Sequence, residues 1–232
     1  MFRATNHTII GITTDDIAML GISMPAIARI GKKHTLIVHN ANPAIKISRR
    51  HIRRMGYRGR VHIINSAEST GLCRARMEIV DAATRIARRA KWIIFVCAGD
   101  VLISADVAPA GADNFAIIKN AISVHRFSDL IHAAYDAQIP TPDGQNTLLY
   151  QPSLMLRGMP IRLDIMRHMT SMAMAEMAMT ESDAASVDKM MWGEIRQSLG
   201  TNSAQTALFM DTTSYIINDI DVAYAVAAAP RG

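Results

Sequence analysis

Three pieces of one stretch decide the fold: KHTLIVHNANPA (Lys33–Ala44), RVHIINSAESTGLCRARMEIVDAA (Arg60–Ala83) and KWIIFVCAGDVLI (Lys91–Ile103). Each opens on a basic residue, runs through a short apolar segment and ends in small polar residues. The apolar runs Thr35–Asn40, Val61–Asn65 and Trp92–Cys97 are too short and too uniformly apolar for surface helices, and fit buried parallel strands. Between them lie helical patterns. Ile45–Met55 carries Ile45, Ile52 and Met55 on one side and is closed by Gly56 and Gly59. Leu72–Ala90 repeats Leu72, Ala75, Ile79, Ala83, Ile86 and Ala90 every three or four residues. Strands alternating with helices imply right-handed crossovers and an α/β fold with a mostly parallel sheet.

Working outward, Thr8–Asp16 reads as a short strand whose Asp15 and Asp16 cap a helix over Ile17–Ile30. Pro25 is expected to kink or split that helix. Beyond Ile103 the pattern weakens. VAPAGADN (Val107–Asn114) reads as loop, Phe115–Ala121 and Phe127–Ala137 as helices, and Pro140–Asn146 as a turn. LLYQPSLMLRG holds another strand, Leu163–Met179 is a Met-rich helix, Val187–Leu199 is a further helix, and ALFMD and YIIND are late strands. With no internal repeat and no low-complexity linker, one domain over residues 1–232 is the economical organisation.

Half of the residues are hydrophobic, so a core is easily built, but only 5% are aromatic. The 16 methionines and the small aliphatics must fill it. Cys73 and Cys97 form no CxxC pair, which argues against a zinc site or a disulfide framework. The opening residues lack the apolar core of a signal peptide, and no apolar run approaches the ~20 residues needed to cross a bilayer. A soluble, cytoplasmic protein without a membrane partner is expected. The formal charge is +5, and the basic residues cluster at Lys46–Arg60 and at Arg74–Lys91, which suits phosphate-bearing partners. The plainer alternative is a pair of solvated helix faces.

Four constellations could carry chemistry. His39-Asn40-Ala41-Asn42 follows the first strand; its amides can read the edge of a base or ribose, or simply turn the chain before Pro43. Asn65–Gly71 runs into a helix bearing Arg74 and Arg76, so backbone N–H groups and a helix start could meet an anion. It matches neither GxxxxGK[ST] nor GxGxxG. Asp100, at the end of the third strand, could ligate a divalent ion that bridges a diphosphate, or serve as a turn aspartate. Glu181, Asp183, Asp188 and Glu194 open a late helix, where one acid could accept a proton or where all could act as caps.

In order and spacing these segments resemble the GT-A glycosyltransferases, especially the family-2-like inverting enzymes, over roughly Thr35 to Gln197. TLIVHNAN resembles their first nucleotide loop, INSAESTGLCRAR the next loop with its G-x-x-x-AR pattern, and WIIFVCAGDVLI the strand ending in the aspartate motif. YQPSLMLRGMPIRLDIM resembles the acceptor-side segment, and SVDKMMWGEIR the late acidic motif. The resemblance implies a GT-A-like, Rossmann-like sheet that grips a nucleotide-diphospho-sugar across the ends of three neighbouring strands. His39, Asn40, Asn42, Asn65 and Ser66 would surround base and ribose. Gly71, Arg74 and Arg76 would lie near the diphosphate, Asp100 would hold Mg²⁺ or Mn²⁺, and Asp188 would be the general base. The family's D-x-D-D run is C-A-G-D here, so arginines would share in neutralising the diphosphate. The excess of positive charge suits DNA as acceptor, for example a hydroxymethylated base in phage-type DNA, with a protein or small-molecule acceptor as the competing choice. Two other function classes fit the same residues: a non-enzymatic nucleic-acid-binding protein, and a nucleotidyltransferase that consumes a nucleoside triphosphate.

Overall fold

The sheet is built around β1 (Thr8–Thr14), an apolar strand that pairs in parallel with β2 (Thr35–Asn40) on one side and β4 (Trp92–Cys97) on the other. A computed structural model describes residues 7–87, 89–106, 117–124, 148–149, 157–168 and 207–217. β3 (Arg60–Asn65) extends the parallel half at its edge, giving the order β3-β2-β1-β4. Three helices make the crossovers: α1 (Ile17–Ile30), α2 (Arg49–Arg54) and α3 (Leu72–Ile86). Right-handed connection places α1 and α2 on one face and α3 on the other.

The second half is mixed. β8 (Pro160–Arg162) pairs antiparallel with β4, and β6 (Ile117–Val124) pairs antiparallel with β8 and parallel with β9 (Ala207–Ile217). The two-residue strands β5 (Val101–Leu102) and β7 (Leu148–Leu149) pair antiparallel with β9 and β6. A short helix, α4 (Leu163–His168), packs against α3. The molecule is thus α/β, with most of its paired residues in parallel ladders.

Strands β2 and β4 occupy the expected ranges, and β3 starts one residue early. Asp16 caps α1 as expected, its side chain accepting the Ala18 N–H at 2.8 Å. Pro25 does not split α1. The proline deprives only the Gly21 carbonyl of a partner, and the buried stripe Leu20, Met24 and Ile27 holds the helix to the sheet. α2 is shorter than the Ile45–Met55 pattern because Ser48 caps it, accepting the His51 N–H at 3.4 Å. The helix expected over Phe115–Ala121 is instead strand from Ile117 onward: β9 offers a long pairing partner, and the β-branched Ile117, Ile118 and Ile122 suit a ladder. The two late strands merge into one, β9, whose polar middle coincides with register shifts against β6 at Asn120–Ile122. The expected helices over Phe127–Ala137 and Val187–Leu199, the turn at Pro140–Asn146 and most of the Met-rich helix lie outside the described residues. Among the described residues no helix is long and apolar enough to cross a membrane.

The core is a sandwich of β1, β2 and β4 between the helix layers, with Ile9, Ile10, Ile12, Leu36, Ile37, Val38, Ile93 and Ile94 fully buried. Each such side chain contributes about 1.5–3 kcal/mol on burial. Gly11 lets α3 close onto β1, since a Cβ there would meet Ile79 Cγ2 at 2.5 Å. Gly158 is more tightly bound to its identity. Its φ is +73°, its N–H donates to the Phe95 carbonyl at 2.8 Å, and a Cβ would fall 2.2 Å from Tyr215 Cγ. Tyr57, after α2, donates from Oη to the His34 carbonyl at 2.7 Å and so ties the α2–β3 turn to the start of β2. Burial pushes its phenol up to about 12.

Two outcomes follow. Gly158→Ala combines a clash with a left-handed backbone and should lower stability by about 2–4 kcal/mol in urea unfolding, with the midpoint falling at unchanged slope. Tyr57 stays protonated in the folded chain at a pH where it ionises in the unfolded one. Its stabilising contribution is therefore complete below pH 10 and lost as pH rises toward 12. Thermal melts across that window should fall less steeply for Tyr57→Phe than for the parent chain.

Candidate functional site

Parallel register fixes where polar chemistry can gather. Thr14 pairs with Asn40, Asn40 with Asn65, and Thr13 with Cys97, so four strands end along one line. The expectation of three neighbouring strand ends is corrected by this order: β1 stands between β2 and β4. Connections leave β1 toward β2 and later return to β4 on its other side, so a topological switch point falls at the ends of β1 and β4. In open α/β sheets ligands bind at such a crevice. Its rim is Thr14-Asp15-Asp16, the loop 40–48, the loop 65–71 and the turn 97–100.

The expected base-reading amides turn inward and brace the loops. Asn40 is fully buried. Its Nδ2 donates to the Ile45 carbonyl (2.6 Å), the Asn42 carbonyl (3.1 Å) and Asn65 Oδ1 (3.1 Å), and its Oδ1 accepts the Asn42 N–H (3.2 Å). Asn65 clasps Ile47 from both sides, accepting its N–H at 2.9 Å and donating to its carbonyl at 3.0 Å. Asn42 forms the plain turn, accepting the Ala44 N–H at 2.9 Å and donating to the Asp15 carbonyl at 3.1 Å. These amide groups hold the β2 and β3 loops against each other and against the end of β1.

His39 stands closer to chemistry than the sequence suggested. It is fully buried, with Nε2 3.0 Å from Glu78 Oε2 and 3.4 Å from Ser66 Oγ. Acid and hydroxyl share one ring nitrogen, so this is no serine-type relay, which needs one partner on each nitrogen. Nδ1 is buried without a hydrogen-bond partner among the described residues.

The two arginines expected near a diphosphate part company. Successive helical residues turn by about 100°, so positions two apart face opposite ways. Arg74 points outward and is held by Glu68 (Nη1 to Oε1, 2.5 Å) and Glu78 (Nε to Oε1, 3.2 Å), which together raise its pKa further. Arg76 points inward and is fully buried, its guanidinium carbon 5.2 Å from the centroid of the Phe95 ring. Gly71 lies at the N-cap of α3 without a side-chain cap, so the start of a 15-residue helix opens onto the rim.

Asp100 is 2% exposed. Its Oδ2 accepts the Tyr215 hydroxyl at 2.6 Å and lies 3.8 Å from Arg157 Nη1. Tyr215 Oη in turn accepts the Cys97 N–H at 3.2 Å. Burial first, then the Asp100 carboxylate, hold that phenol well above its usual range, so it remains a donor. Gly99, at φ +100°, completes the turn by donating to the Met19 carbonyl (3.0 Å) and Ser23 Oγ (2.9 Å) on α1. The described residues do not fit a divalent ion at Asp100: Arg157 already brings positive charge to the carboxylate, and no cluster of three His, Cys, Asp or Glu side chains occurs among them. The expected base, Asp188, lies outside the described residues.

Sequence reading overlooked Glu78 and Tyr215. Glu78 could have been found as the i+4 partner of Arg74; nothing near Tyr215 marks it. Comparison with protein families and with curated proteins gives no match to the chain.

These roles separate by mutation. Asn65→Ala strands the Ile47 N–H and carbonyl together with one contact of the Asn40 amide, and should cost about 1–3 kcal/mol in chemical unfolding. Arg74→Ala, on a solvated surface, should leave the unfolding midpoint almost unmoved. Equal stability for Asn65→Ala and the parent chain would show that the asparagine does not brace the loops.

Proposed function

We propose that the chain is a GT-A-like glycosyltransferase that moves a sugar from a nucleotide-diphospho-sugar to an acceptor hydroxyl with inversion. The observation that carries this reading is the line of four parallel strand ends with a switch point between β1 and β4. Loops at such a crevice are where a nucleotide is gripped, and here they are pre-braced by Asn40, Asn42 and Asn65 rather than left to order on binding.

In this reading the start of α3, opened by Gly71, receives the diphosphate through its N–H groups and dipole. Arg74, poised between Glu68 and Glu78, exchanges one carboxylate for a phosphate oxygen. His39 sits beneath that helix turn and orients Glu78. The acceptor oxygen attacks the anomeric carbon from the face opposite the nucleotide. Its proton passes to the Asp188 carboxylate, the bond from the anomeric carbon to the diphosphate oxygen breaks, and a nucleoside diphosphate leaves with the electron pair. The Asp100–Arg157–Tyr215 cluster fixes the floor of the crevice and takes no part in the transfer. A hydroxymethylated base in DNA is the acceptor class that the basic balance of the chain favours.

A thermal-shift panel of nucleotide sugars and nucleoside triphosphates tests the donor. One nucleotide sugar should stabilise the chain by about 2.7 kcal/mol at a hundredfold excess over its Kd, with nucleoside triphosphates weaker. Stabilisation by triphosphates alone would favour a nucleotidyltransferase instead. With the donor known, Asp188→Asn should keep the shift and lose turnover by about 10²–10⁴-fold; retained turnover would reject Asp188 as the base.

A further inference from the structure

At the opposite edge of the sheet, where the parallel strands begin, lies a cleft of about 700 Å³. It is lined by Lys32, Lys33, Arg60, Arg85, Arg89 and His7, brought from the α1–β2 turn, the first residue of β3, the end of α3 and the start of β1. Strands of this length separate it from the candidate crevice by roughly 20 Å. Its charge exceeds what the fold requires. Helix carboxyl ends draw cations, each worth about half a negative charge, and α1, α2 and α3 all end at this edge. Asp106 adds one carboxylate, paired with Lys33 at 2.5 Å. Lys32, Arg60, Arg85 and Arg89 make no ion pair among the described residues. Three helix ends and one aspartate therefore leave roughly two to three positive charges unbalanced.

The histidines register that field. His7, whose Nε2 lies 2.8 Å from Thr35 Oγ1, is pushed down by burial and then by Arg60. His62, outside the cleft on β3, is pushed down by burial, then by Arg85 and Arg49. Cationic side chains thus continue from Arg60 and Arg85 in the cleft along the edge strand β3 to Arg49, the first residue of α2. A single phosphate would need only the cleft; a surface that wraps a strand edge suits a chain of phosphates.

We infer that this amino-end cleft and the adjoining β3 edge bind the phosphodiester backbone of a nucleic acid. The contacts are to phosphates, so they position the polymer and read no sequence. The inference needs no sugar donor and stands apart from the transferase reading.

Fluorescence anisotropy with a short labelled duplex, titrated between about 50 and 200 mM salt, tests it. The parent chain should bind with a steep salt dependence. Arg60→Ala/Arg85→Ala should weaken binding and flatten the slope of log K against log salt by about two. Lys46→Ala, the loss of a single charge from the loop at the other edge, should change the slope far less than the double variant does. Thermal melts of the variants check folding. A readout without substitution is the His7 titration by NMR, which should move upward when the duplex is bound, because a neighbouring phosphate favours the charged ring. Absence of salt-dependent binding, a double variant equal to the parent, an unmoved His7, or pyrophosphate or anionic vesicles competing as well as the duplex would each overturn the inference. Nucleotide-sugar stabilisation should survive in the double variant, so the two proposals fail separately.

Discussion

Parallel pairing in register is the constraint on which everything else rests. β1 is bonded on both sides, so every backbone polar group along its buried length is consumed by β2 and β4. On the buried strands β1, β2 and β4, polar side chains gather where the ladders stop. With all four parallel strands stopping together, one edge collects Thr14, Asn40, Asn65 and the turn to Asp100, and the other collects Thr8, Thr35, Arg60 and Trp92. The candidate crevice and the basic cleft are consequences of that alignment.

The edges differ in how their charged side chains are balanced. At the carboxyl edge Glu68 and Glu78 flank Arg74, Asp16 caps α1, and the buried Asp100 is matched by Arg157. At the amino edge lysines and arginines outnumber the single carboxylate of Asp106. Helix dipoles run against this, since they place positive ends at the carboxyl edge and negative ends at the amino edge. The side chains therefore oppose the backbone field at both edges. That opposition leaves the uncapped start of α3 available to an anion while limiting how strongly the crevice attracts anions at a distance.

Local patterning made the parallel half legible. TLIVHN, WIIFVC and the α3 stripe each carry their own signal; the two strands have the expected bounds, while the helix expected over Leu72–Ala90 ends at Ile86. The central place of β1 was not legible, because its short apolar run resembles an edge strand as much as a central one. The helix expected over Phe115–Ala121 gives way to strand from Ile117, because strand or helix there is decided by β9, some ninety residues on. At the site, the positions of Asn40, Asn65 and Ser66 at the rim were readable from strand ends. Their partners were not: Asn40 reaches Asn65, and Asp100 reaches Tyr215 across 115 residues. The burial of Arg76 was in principle readable, since it shares a helix face with Cys73, Ile79 and Val80. The basic clusters were legible but the cleft was not, because its lysines and arginines come from three segments that only the sheet brings together.

The partner of β4 on its outer side comes late in the chain. Ile93 and Ile94 pair with Ile161 and Pro160, whereas β1, β2 and β3 all precede β4. On the ribosome, residues 98–159 must be made before that partner exists, which takes roughly 3–12 s at about 5–20 residues per second. Throughout that interval the nascent parallel half carries an open, strongly apolar strand margin. Translation pauses or chaperone occupancy over those residues would therefore bear on how that margin is kept from wrong pairing.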